Sequence, residues 1–140
     1  MKLLIVRHGE PDYEHDTLTG KGWHEAALLA DWLSRTPADF YYVSPLGRAR
    51  DTASLTLQRL GREAETLDWL QEFPARIHRP DKETETICWD WLPQDWLADT
   101  RFLSKDRWLE PEAMAGVREI YDRVIAGFDG LLAAHGYVRD

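Results

Sequence analysis

Two side chains that could bind and attack an anion follow directly after an apolar run near the N-terminus. Arg7 and His8 come after residues 2–6, a short continuous run rich in branched apolar side chains. Such a run is typical of a strand that is buried on both faces of a parallel sheet. Open α/β sheets bind their ligands at the carboxyl ends of the strands. The sequence therefore predicts that Arg7 and His8 lie at a ligand-binding edge.

Another basic side chain, Arg48, follows a second apolar segment. Residues 39–43 are predicted to form a strand, and residues 46–60 are predicted to form a helix. Arg48 then lies in the first turn of that helix, where backbone N–H groups have no partner within the helix and the helix dipole favours an anion. This placement predicts an anion-binding site, with the neighbouring Arg50 as the exposed arginine.

The order of the predicted elements indicates an α/β protein. A helix is expected from the N-cap Thr19 to about Ser34, Gly61 follows the second helix, and a third short strand is expected around residues 66–69. Strands that alternate with helices favour right-handed crossovers and a parallel sheet. We therefore expect a three-layer α/β/α fold with a mostly parallel central sheet.

Residues 73–110 differ in composition from the segment before them. They are rich in tryptophan and in charged residues and show no sustained periodicity. We expect a Trp-rich, partly helical insertion within a single domain that spans residues 1–140. Packing in the core or in a lid is the simplest role for the tryptophans, and stacking against a substrate is the alternative. A long helix is predicted from Pro111, with Gly136 as its cap.

The composition excludes several classes of partner. The 140 residues carry 17 Lys and Arg against 25 Asp and Glu, a formal net charge of −8, without a basic run. Nucleic acids and anionic membranes need a basic surface, so neither is expected as a partner. Cys88 is the single cysteine and cannot form an intrachain disulfide. Because the N-terminal apolar run is also too short for a signal peptide, we expect a cytoplasmic protein.

Four motifs together resemble the histidine phosphatase superfamily, the phosphoglycerate mutase-like proteins. They are RHGE at residues 7–10, LTGKG at 18–22, SPLGRARDTA at 44–53 and LQE at 70–72. The resemblance implies phosphoryl transfer through a covalent phosphohistidine. By position, His8 would be the nucleophile and Glu72 would protonate the leaving oxygen. Arg7 and Arg48 would bind the phosphoryl oxygens.

These residue types suit that reaction. A neutral imidazole is a competent nucleophile near pH 7, and adjacent arginine cations disfavour its protonated form. Arginine also presents paired planar donors to the oxygens that share charge in the transition state. The resemblance therefore implies a phosphatase that acts on a phosphorylated small molecule and needs neither a metal nor an organic cofactor. Phosphoglycerate mutase-type transfer is the close alternative.

The chain departs from the family pattern after RHGE and near its end. The family has an asparagine several residues after that glutamate, where this chain has residues 11–14. The family also has a second histidine, followed by glycine, after a later strand. The late candidate, His135-Gly136, instead continues a helical stripe, so we expect it to cap a helix. We then expect the chain to lack the C-terminal part with the second catalytic histidine, which leaves a non-catalytic phosphate-binding relative as a third interpretation.

Two further interpretations concern other ligands and partners. Asp12, His15 and Asp16 could form a metal cluster with His8, but their spacing matches no standard ligand pattern, so no metal site is expected. The predicted sheet also has an unfinished edge. Such an edge is compatible with a homodimer that covers it.

Overall fold

The first part of the chain is built on two long helices. The computed structural model describes residues 1–79 and 81–139, and the chain divides into two units, Met1–Gln71 and Glu72–Asp140. In the first unit, α1 (Gly20–Leu33) and α2 (Gly47–Leu60) pack against each other. Ala26 and Ala30 of α1 are buried, at the four-residue spacing of one helix face.

Both helices begin and end where the sequence predicts. Thr19 precedes α1, and its Oγ1 accepts a hydrogen bond from the Gly22 N–H at 3.1 Å. Gly61 follows α2 with a φ of 59°, in the left-handed region that glycine adopts most easily. In both cases the groups that cap the helix lie within a few residues of the groups they satisfy. The helix predictions are confirmed.

The strands of the first unit are short. β1 (Pro11–Asp12) and β2 (Thr17–Leu18) form an antiparallel hairpin, whereas β3 (Tyr42–Val43) pairs in parallel with β4 (Glu65–Thr66). A 3₁₀ helix, Asp68–Leu70, follows β4. The parallel pair on either side of α2 is the expected strand–helix–strand unit. Its first strand is shorter than predicted, and its second strand is displaced from the predicted residues 66–69, of which residues 68 and 69 lie in the 3₁₀ helix.

Residues 2–6 form neither a helix nor a strand. Their apolar side chains are exposed, by 85% at Ile5 and by 50% at Leu3. The prediction of a buried first strand is therefore wrong. A strand needs a neighbouring backbone to which it can hydrogen-bond, and no described strand pairs with this run. For the same reason the described residues contain no mostly parallel central sheet, and the three-layer arrangement predicted around such a sheet is not observed.

The second unit has a small apolar core of its own. Its elements are β5 (Arg76–Ile77), β6 (Thr86–Ile87), α3 (Pro93–Leu97), two 3₁₀ helices (Thr100–Leu103 and Glu112–Met114) and α4 (Val117–Ala134). β5 and β6 form an antiparallel hairpin. Trp91, Trp96 and Trp108 pack against the core, which includes Ile77 and Met114. The segment 73–110 is thus partly helical, as predicted, and three of its tryptophans contribute to packing.

The last helix begins later than predicted. Gly116 has a φ of 84°, which a right-handed helix does not accommodate, so α4 begins at Val117 and not at Pro111. Its end agrees with the prediction, because His135 is the C-cap and Gly136 has a φ of 80°. The single domain expected across residues 1–140 stays a prediction.

Candidate active site

A backbone carbonyl group fixes the orientation of the His8 ring. Nδ1 of His8 lies 2.7 Å from the carbonyl oxygen of Gly9. A carbonyl oxygen only accepts hydrogen bonds, so Nδ1 carries the proton and donates it. In the neutral ring the lone pair is then on Nε2. His8 therefore has the tautomer that a nucleophilic Nε2 requires.

Thr52 joins the loop that carries His8 to the helix that carries Arg48. The Gly9 N–H donates to Thr52 Oγ1 at 3.1 Å, and that hydroxyl donates to the Arg48 carbonyl oxygen at 2.7 Å. Thr52 is buried, so water competes little for these hydrogen bonds. Sequence reasoning did not select Thr52. The available signal was its place in SPLGRARDTA, four residues after Arg48 and therefore on the same face of α2.

Two glycines let the His8 loop lie directly against the start of α1. A Cβ at Gly22 would lie 2.2 Å from the Glu10 carbonyl oxygen, and a Cβ at Gly9 would lie 2.8 Å from the Gly22 carbonyl oxygen. Both contacts involve backbone atoms, which cannot rotate away as a side chain can. Close backbone approach therefore requires the glycine in RHGE and the second glycine in LTGKG.

Glu10 attaches the same loop to α1 through polar contacts. Its N–H donates to Glu25 Oε2 at 2.8 Å, and its carboxylate accepts from Lys21 Nζ at 2.7 Å and from Thr19 Oγ1 at 2.9 Å. The hydrogen bond from Lys21, followed by that from Thr19, lowers the pKa of Glu10. Each contact is exposed and weak by itself, so the attachment depends on the set of them.

Arg48 is the buried cation of this region. It lies in the first turn of α2 and is 8% exposed, whereas Arg50 is exposed. Nη1 of Arg48 donates to Asp16 Oδ1 at 2.8 Å. The ring of Tyr13 covers the guanidinium, with 5.3 Å between Cζ and the ring centroid. Arg48 is thus the arginine of SPLGRARDTA that faces the interior.

Asp16 connects Arg48 to the backbone of its own helix. Oδ2 of Asp16 accepts the Gly47 N–H at 2.6 Å, while Oδ1 accepts from Arg48. The N-cap residue Leu46 provides no side-chain acceptor, so Asp16 satisfies a helix N–H group from a distant part of the chain. The Gly47 hydrogen bond is the main cause of the lowered pKa of Asp16, and Arg48 lowers it further.

The structure connects two of the four predicted site residues. His8 and Arg48 lie in the first unit and are linked through Gly9 and Thr52. Arg7 is exposed next to His8, and Glu72 is exposed at the first position of the second unit. The catalytic roles of His8 and Glu72 and phosphate binding by Arg7 and Arg48 all stay predictions.

One protein-family model matches almost the entire chain. The family model described as histidine phosphatase superfamily (branch 1) matches residues 3–138. The chain belongs to this superfamily. No curated protein and no solved structure matches the chain. Membership of the histidine phosphatase superfamily supports the α/β class and phosphoryl transfer in general.

Where histidine phosphatases have an asparagine after RHGE, this chain forms a turn that is closed by its own side chains. Oδ1 of Asp12 accepts from the N–H groups of Glu14 at 3.0 Å and His15 at 3.3 Å, and Oδ2 lies 2.8 Å from His15 Nδ1. The hydrogen bond with His15 lowers the pKa of Asp12. Asp12 thus contacts His15 while Asp16 contacts Arg48. Within the described ranges, no group of three His, Cys, Asp or Glu side chains could hold a metal ion.

The late histidine, His135, lies at the C-terminal end of α4. The N–H of His135 donates to the Leu132 carbonyl oxygen at 3.0 Å, and the N–H of Gly136 donates to Ala133 at 2.9 Å. The prediction that His135-Gly136 ends a helix is confirmed. Among residues 1–79 and 81–139, no helix combines the length and the apolar character that crossing a bilayer requires.

Proposed function

We propose that the protein is a phosphatase that hydrolyses a phosphomonoester through a covalent phosphohistidine on His8. The observation that carries this proposal is the hydrogen bond from His8 Nδ1 to the Gly9 carbonyl oxygen, because it leaves the ring's lone pair on Nε2. Membership of the histidine phosphatase superfamily supports the class of reaction.

In the first step, Nε2 of His8 attacks the phosphorus and the ester P–O bond breaks. The electron pair of that bond stays on the leaving oxygen, which takes a proton from Glu72. Arg7 and Arg48 bind the phosphoryl oxygens, over which negative charge is spread in the transition state. By analogy with oxyanion holes, removal of one such donor lowers kcat by about 10²–10³-fold.

In the second step, water attacks the phosphorus of the phosphohistidine. The P–N bond breaks, its electron pair returns to Nε2, and the Glu72 carboxylate takes the proton from water. Inorganic phosphate leaves, and His8 regains its neutral form with the proton on Nδ1. Water is thus the only co-reactant that the two steps need.

Rapid quenching after mixing with a radiolabelled aryl phosphate tests this proposal. We expect labelled protein whose label is lost in acid and kept in alkali, and we expect no label on His8→Ala. His24→Ala is the matched control, because His24 is an exposed histidine on α1, and it should be labelled like the wild type. Turnover without any labelled protein contradicts the proposal.

Two further measurements separate the alternative functions. With labelled phosphoglycerate as substrate, a phosphoglycerate mutase-type enzyme would transfer the label to the second position of the substrate and not to water. A non-catalytic relative would acquire no label, although inorganic phosphate would stabilise its fold by binding to it.

A further inference from the structure

The β1–β2 hairpin holds the guanidinium of Arg48 on two sides. Within the connecting loop, Asp16 binds its edge at 2.8 Å and Tyr13 covers its face. A buried cation in the first turn of a helix is unfavourable by itself, since that end of the helix dipole is positive. The first turn of α2 contains no acidic residue, so Asp16 supplies the countercharge from another segment.

We propose that Asp16 is a positioning residue, whose carboxylate holds Arg48 in the orientation that binds the phosphoryl oxygens. This inference rests on the proposed function. Asp16 does not touch the substrate, and it acts through Arg48.

The position of Asp16 is itself tightly determined. Its backbone has a φ of 48°, and a Cβ at Gly47 would lie 2.0 Å from its carbonyl oxygen. The loop is therefore in close contact with the start of α2, and the Gly47 N–H binds the carboxylate at 2.6 Å. Because both oxygens of one carboxylate are engaged, the side chain of Arg48 is fixed relative to the backbone of α2.

Fixing this arginine matters because its side chain has many rotamers. Ordering an arginine side chain costs rotamer entropy. A contact made before the substrate arrives removes part of that cost from the binding step. A displacement of the catalytic group by about 1 Å can reduce the rate about 10²-fold. Loss of the Asp16 contact should therefore affect kcat as well as stability.

Asp16→Asn separates this role from simple helix capping. The single oxygen of the amide can replace Oδ1 or Oδ2 but not both, so either Arg48 or Gly47 loses its hydrogen bond with this side chain, and the negative charge of the side chain is lost in both cases. Asp12→Asn is the matched control. Asp12 lies in the same hairpin, and its carboxylate contacts residues 14 and 15.

Steady-state kinetics with an aryl phosphate provides the test. We expect Asp16→Asn to lower kcat by about 10- to 100-fold with a smaller change in KM, and Asp12→Asn to stay within about twofold of the wild type. Arg48→Ala and the double variant Asp16→Asn/Arg48→Ala complete a double-mutant cycle. If Asp16 acts through Arg48, the double variant is no slower than Arg48→Ala alone.

Two results overturn the inference while leaving the proposed function intact. One is an Asp16→Asn variant that loses thermal stability but keeps the wild-type kcat, which would make Asp16 a helix cap only. The other is full additivity in the double-mutant cycle.

A wild-type protein without turnover or label would instead contradict the proposed function. Calorimetric titration with inorganic phosphate then tests Asp16 independently. Weaker phosphate binding by Asp16→Asn than by Asp12→Asn supports the inference. Equal binding, or no binding by the wild type, overturns it.

Discussion

Gly22→Ala should destabilise the protein, although alanine is a better helix former than glycine. In the interior of an exposed helix this change stabilises by about 1 kcal/mol. At Gly22, however, the added carbon would lie 2.2 Å from the Glu10 carbonyl oxygen and 3.0 Å from the Glu10 nitrogen. Ordinary contact begins at 3.4 Å, so the two backbone segments must separate by 3.4 − 2.2 = 1.2 Å.

That separation acts on the loop that carries His8. Overpacking of this kind costs about 1–3 kcal/mol, which exceeds the gain in helix propensity. It also stretches the hydrogen bond from the Thr19 N–H to the Glu10 carbonyl oxygen, which is 3.0 Å long. We expect a lower free energy of unfolding. Because His8 lies two residues before Glu10, we also expect kcat to fall by about 10²-fold.

Urea unfolding, monitored by far-UV circular dichroism, measures the free energy of unfolding. Gly20→Ala is the matched control, because it lies in the same first turn and a Cβ there meets nothing within 4 Å. Gly20→Ala should be at least as stable as the wild type. Equal stability of the two variants would refute the reasoning, since the contact with Glu10 is the difference between the two positions.

Two further predictions concern hydrogen bonds in the first and in the second unit. Thr52→Val removes the acceptor of the Gly9 N–H and should destabilise by about 1–3 kcal/mol in urea unfolding, whereas Thr52→Ser keeps the hydroxyl and should stay close to the wild type. In the second unit, hydrogen bonds from Arg101 are the largest cause of the lowered pKa of Asp99, which is about 2 against an ordinary value of 3.8. Since its folded-state pKa is depressed, ionised Asp99 stabilises the fold above about pH 4 and loses this effect as the pH falls towards 2. Asp99→Asn should therefore be less stable than the wild type at pH 5, and the difference should shrink on acidification. If the free energies of unfolding of the two proteins changed in parallel with pH, the stabilising role of ionised Asp99 would be contradicted.

The two long helices of the first unit could be predicted because their signals are local. Thr19 caps a group three residues away, and Gly61 adopts its left-handed conformation directly after α2. Such interactions depend on neighbours along the chain, which the sequence shows. The start of α4 was predicted wrongly, although its signal is also local. The prediction followed the helical spacing of the apolar residues and did not use Gly116, whose positive φ ends the possible helix on its N-terminal side.

The first strand could not be predicted in the same way. The apolar run of residues 2–6 has the composition of a buried strand, yet a strand forms only where another backbone supplies hydrogen bonds. That partner is a property of the tertiary structure. The parallel pairing of Tyr42 with Glu65 shows that a strand depends on a partner from elsewhere in the chain, since these residues lie far apart in the sequence.

For the candidate site, the sequence by itself determined which residue types are present and in which motifs they lie. The resemblance through RHGE and SPLGRARDTA was enough to select His8 and Arg48, and the superfamily match agrees with it. The tertiary structure alone decided that Thr52 binds Gly9 and that Asp16 binds Arg48, across 43 and 32 positions of the chain. Hydrogen bonds act over about 3 Å of space, and only the folded chain brings such distant residues that close.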